Sequence, residues 1–140
     1  MSEYESDILE WSKHQAALLR RAAAGEPVRD LDWPNIIDEV ESLGLSELRS
    51  VASLLTQALA HMLKDEAWPS SREVPGWRAE ARRFRDEAAD RFTPSMRHRI
   101  DLAKSYRRAM RYLPETIDDQ PPLPVVAICP FTLEELLSEG

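Results

Sequence analysis

Apolar residues recur at three- and four-residue steps along most of the chain, the spacing of amphipathic helices. Ile8, Trp11, Gln15, Leu18 and Ala22 form the first stripe, which Leu19 widens. Ile36, Ile37, Val40 and Leu43 form a short second one, with Asp32 placed to cap its start and Gly44 placed to close it. The broadest face follows: Leu48, Val51, Ala52, Leu55, Leu59, Met62 and Leu63, flanked by Leu54 and Ala58. That breadth predicts the central helix. Trp77, Ala81, Phe84, Ala88 and Phe92 make a fourth stripe. Thr93 before Pro94 predicts the opening of another helix, with Met96, Ile100, Ala103, Met110 and Leu113 turned inward. Near the end, Thr132 and Glu135 fit a capping box for a short helix through Leu136 and Leu137.

Proline placement agrees with this pattern. Pro27, Pro34, Pro69, Pro75, Pro94 and Pro114 leave three long proline-free stretches in which helices can run. Pro121, Pro122, Pro124 and Pro130 crowd one short stretch around the β-friendly residues 123–128, which suits an extended strap better than a paired strand. The chain therefore reads as all-α: a single-domain bundle of five or six helices over 1–140. Residues 1–113 form the helical body, 114–130 a Pro-rich extended strap, and 131–140 a short terminal helix.

At 140 residues one domain is the natural count, and a core is attainable without disulfides. The lone Cys129 excludes an internal disulfide. Its apolar neighbours and nearby acids make it a buried structural thiol rather than a reactive one. No apolar run is long enough to span a bilayer, and the acidic N-terminus is unlike a signal peptide. The expected location is cytoplasmic, with no membrane partner.

Net charge is −7, but the charge is unevenly spread. Residues 71–113 carry twelve bases against six acids, while residues 114–140 carry six acids and no base. Arg78, Arg82 and Arg85 share one helix face, and Lys104, Arg108 and Arg111 share a face of the next. They form a possible anion-contacting surface. The plainer reading is a solvated outer face neutralised by the acidic segments. Trp77, Phe84 and Phe92 fall on or near apolar stripes rather than among the arginines as stacking platforms. With a sequence pI near 5.0 as well, nucleic-acid association through residues 72–111 ranks low.

Catalytic signatures are sparse. There is no Gly-rich phosphate loop, no His-Glu-x-x-His pair and no nucleophile elbow. One Cys and three His cannot build a Cys-rich zinc site. What remains is Glu39 with His61 as the candidate catalytic pair, and Glu10, His14, Glu39, His61 and Asp65 as candidate ligands for a divalent metal such as Zn²⁺, Mn²⁺ or Fe²⁺. If Gly44 ends the second helix, a simple hairpin leaves Glu39 and His61 apart. His61 then reads as a boundary residue whose nearest partner is Asp65. No cofactor is expected, and a metal enzyme stands as the alternative.

Several blocks taken together carry a resemblance. Trp11 with Gln15-Ala16-Ala17-Leu18-Leu19 is followed by Leu31-Asp32, Asn35-Ile36 and Glu39-Val40-Glu41-Ser42-Leu43-Gly44. Ser46, Glu47 and Arg49 come next, then His61-Met62-Leu63-Lys64, Trp77-Arg78, and Cys129-Pro130-Phe131-Thr132-Leu133-Glu134-Glu135-Leu136-Leu137. Across residues 4–137 the chain resembles the bacterial domain-of-unknown-function family numbered twenty-nine. Where that family often has an aromatic after the His-x-Leu-Lys block, this chain has Asp65, with Trp68 one turn on. The resemblance implies an all-helical single domain and brings no catalytic residues. A protein-interaction or structural module, engaging a partner or itself, therefore ranks first.

Overall fold

Caps and prolines decide where the helices begin. In the computed structural model, which describes residues 1–138, Ser2 and Asp7 accept from the backbone N–H groups of Glu5 and Glu10. These caps start α1 (Glu3–Ser6) and α2 (Ile8–Ala23). α3 spans Trp33–Ala67, α4 spans Val74–Arg91, a single 3₁₀ turn covers Pro94–Met96, and α5 spans Leu102–Arg111. α6 (Leu133–Leu137) follows Thr132, which caps it through the N–H of Glu135 as the capping-box reading expects. Of the terminal stretch 131–140, Glu139 and Gly140 lie outside the described residues. Among the described residues the only β pairing is an isolated bridge between Ile117 and Gln120, so the fold is all-α.

Two expectations are corrected. Gly44 does not end a helix: α3 runs through it without interruption for 35 residues. Gly44 has no positive φ, and nothing lies within 4 Å of where its Cβ would be. A glycine there costs only about 1 kcal/mol of helix propensity, and no proline follows to stop the helix. The glycine that does terminate a helix is Gly25. Its φ of 89° lets Gly25 and Glu26 donate to the carbonyls of Ala22 and Arg21, closing α2 in a Schellman motif. The second correction is at Thr93-Pro94, which opens only the 3₁₀ turn. The helix restarts at Asp101, whose carboxylate takes the N–H of Lys104. Ala103 is consequently exposed, and Ser105, Tyr106 and Ala109 face inward instead.

The chain packs as two compact units, Met1–Leu45 and Ser46–Gly140. In the first, only Trp11 and Gln15 are buried. Polar contacts supplement this small core. Trp11 donates its indole N–H to Asp32 Oδ2 at 2.9 Å, Asn35 donates to the same oxygen at 2.8 Å, and Gln15 Oε1 accepts the N–H of Asp32 at 2.8 Å. Bonds from Asn35 and Trp11 hold the Asp32 carboxyl below the usual carboxylate range.

The second unit has a conventional apolar core. Val51, Leu55, Leu59 and Leu63 of α3 meet Ala88 of α4, Met96, Tyr106 and Ala109 of α5, and Leu136 of α6. Ala67, Trp68, Val74 and Trp77 form an adjoining cluster. Residues 121–132 have no regular structure, and side chains and helix ends satisfy several of the segment's backbone groups. Trp68 donates to the carbonyl of Gln120, Leu123 to that of Ala67, and Tyr106 to that of Val126. Arg85 then donates to the carbonyls of Glu135 and Leu136 at the end of α6.

Leu55→Ala or Leu59→Ala should each cost about 2–5 kcal/mol in denaturant melts, since both side chains are fully buried. Leu43→Ala, on an exposed stretch of α3, should stay within about 0.5 kcal/mol. Costs under about 0.5 kcal/mol at both core positions would contradict this packing.

Candidate functional site

His61 lies on the C-terminal half of α3, at the level where α4 passes. Its ring stacks on Phe84 with centroids 5.7 Å apart and planes 10° from parallel. Nδ1 is buried and, among the described residues, makes no hydrogen bond. Burial pushes the imidazole below its ordinary pKa; Lys64 and Arg83 add to the shift and Glu80 opposes it. Its surroundings therefore favour the neutral imidazole.

The residues around it form an open cleft of about 490 Å³. Asp65, Trp77, Arg78, Arg82, Arg85 and Phe131 are among its walls. The expected partnership of His61 with Asp65 is not formed. Asp65 instead accepts from Arg78, with Nε 2.7 Å from Oδ2, because the guanidinium offers two donors in a fork that the imidazole cannot match. Arg85 is committed to the end of α6. Arg82 lines the cleft with no salt bridge among the described residues. A neutral imidazole stacked on an aromatic can exchange a hydrogen bond with a polar guest. It lacks the carboxylate that would orient it as a general base.

The remaining candidates are dispersed. Glu39 belongs to the first unit, where it accepts from the hydroxyl of Tyr4. That bond raises the Tyr4 pKa above its usual value. Tyr4 in turn meets Trp11 edge-on, with ring centroids 4.7 Å apart. His14 Nδ1 lies 3.4 Å from Glu3, and both are exposed. Glu10 is exposed, with its backbone N–H capped by Asp7. Among the described residues no group of three or more His, Cys, Asp or Glu side chains is placed to hold a metal ion. Lys104 and Arg108 line a second groove, which Arg111 does not line. Cys129 is half-buried, packs against the main core, and directs its thiol at the carbonyl of Phe131, 3.5 Å away.

A second feature was not singled out in the sequence. Trp33, Ile37 and Val40 are 54%, 51% and 69% exposed on the N-terminal part of α3, and Leu43 beside them is 70% exposed. The spacing of Ile37, Val40 and Leu43 was legible as a stripe, without Trp33; its exposure was not, because the same periodicity marks a buried face.

The family model described as "Domain of unknown function DUF29" matches residues 3–140. The chain belongs to this family. A solved alpha-helical protein of unknown function from Rhodospirillum rubrum is 28% identical to it, with a TM-score of 0.72 over 99% of this chain and 91% of that one. No curated protein matches significantly. Neither description names an activity, so the functional reading of this DUF29 chain rests on its own geometry. No helix among its described residues is long and apolar enough to cross a membrane.

His61 should titrate below about 6.5 in the folded protein, as read from its imidazole resonances by NMR. The unfolded chain takes up this proton first as pH falls. The corresponding stability is therefore complete above about 6.5 and declines as pH drops through the folded value. His61→Phe should flatten that part of the stability–pH curve, and a folded pKa at or above 6.5 would contradict the burial described.

Proposed function

We propose that this chain is a protein-interaction module whose contact face is the exposed stripe of α3. The observation that carries this reading is the exposure of Trp33, Ile37, Val40 and Leu43 on one stretch of helix. Scattered apolar residues on a surface are ordinary, but several on one stripe mark an interaction face. Trp33, Ile37, Val40 and Gly44 follow one another at steps of four, three and four, the seam spacing of paired helices. The open space beside Gly44 lets a partner's backbone approach closely.

Charge narrows the partner. Residues 1–45 hold ten acids against four bases, and Glu41 borders the stripe. A second copy would set these acids against their own kind. A partner helix with an apolar stripe flanked by Lys or Arg suits the face better.

The test uses a helical peptide probe with Leu at i, i+3, i+4 and i+7 and Lys elsewhere. Fluorescence anisotropy should show saturable binding that weakens about tenfold when Val40→Ser and Leu43→Ser are combined, since the apolar contact is lost while charge is kept. Undiminished binding by that variant would reduce the interaction to charge attraction and overturn the proposal. Self-association of the free chain in sedimentation, abolished by the same pair, would assign the stripe to a second copy and overturn the basic partner.

A further inference from the structure

The basic residues of the second unit are not equivalent. Arg78, Arg83 and Arg97 each pair with a carboxylate, and Arg85 caps α6. Arg49 of α3, Arg99 ahead of α5, and Lys104 and Arg108 on α5 have no ion pair among the described residues. All four line one groove of about 660 Å³.

We propose that this groove binds a small phosphate-bearing molecule with two or more negative charges. Its lining contains a single acid, Asp101, and that carboxylate is already used as the cap of α5, 3.1 Å from the N–H of Lys104. Four cations face the groove against this one committed anion, in a chain whose net charge is −7. Gathering like charges costs Coulomb energy unless an anion offsets it, and a concave site concentrates their field.

Neutral donors complement the charges. Ser105, 5% exposed, is part of the lining, as are Gln57 and Tyr112. Guanidinium groups from α3 and from α5 can take different oxygens of one phosphate, each through two donors. The groove has the volume of a small-ligand site. Tyr112 is its only aromatic residue, and a nucleic-acid strand would need a series of stacking surfaces. The acidic balance of the whole chain also opposes a long polyanion.

Inorganic pyrophosphate is the probe, titrated calorimetrically at low ionic strength into the full chain. Binding should be saturable, should weaken as salt rises, and should fall about tenfold or more in the combined variant Arg49→Gln, Arg108→Gln. Both side chains are exposed, so the variant should keep the parent's unfolding midpoint. Arg91→Gln, outside the groove, should bind as the parent does. Three outcomes would overturn the proposal: no heat at millimolar pyrophosphate, equal loss of binding in Arg91→Gln, or retention in the double variant. Tighter binding of a single-stranded oligonucleotide, lost in the same double variant, would also overturn it by replacing the small anion with nucleic acid.

Discussion

Leu55 and Leu59, with Val51 above them and Leu63 below, form the buried ladder of α3 on which the second unit is assembled. Burying one such side chain is worth about 1.5–3 kcal/mol, so this ladder outweighs any surface ion pair in the molecule. α4 contributes a small buried residue to it, Ala88. α5 adds Tyr106, whose ring is buried while its hydroxyl reaches out to the carbonyl of Val126. A phenol suits that position because a buried phenylalanine would leave the carbonyl without this donor.

The same economy holds the C-terminal segment. A chain without helix or strand must satisfy its backbone groups elsewhere. Trp68, Tyr106 and Arg85 supply donors at three points along it, and Leu136 supplies the apolar anchor at its end. At Asp118 and Asp119 the chain turns with positive φ at both residues, a conformation aspartate tolerates better than most, and this turn presents the Gln120 carbonyl to Trp68. Arg97 and Glu134 add an ion pair between the basic and acidic segments.

Much of the helical organisation was legible in periodicity: the stripe from Leu48 to Leu63, the stripe through Trp77 and Ala81, and the Thr132 cap all stand where their spacing put them. Punctuation was less legible. Gly44 and Gly25 are the same residue type, yet only Gly25 adopts positive φ, and that depends on tertiary context. Asp101 outcompeted Thr93-Pro94 as a helix start because its carboxylate reaches the N–H of Lys104, a contact no spacing rule ranks. The site was less legible still. Arg49 is distant in sequence from Lys104 and Arg108, and only folding gathers them; His61 lost Asp65 to Arg78 for the same reason.

The continuity of α3 through Gly44 underlies both the exposed stripe and the correction of the expected hairpin. Backbone ¹³Cα secondary shifts across residues 41–48 measure it directly. Uninterrupted helical shifts, Gly44 included, are the predicted result. Shifts falling to coil values at Gly44 and Leu45, with Gly44 at positive φ, would contradict it.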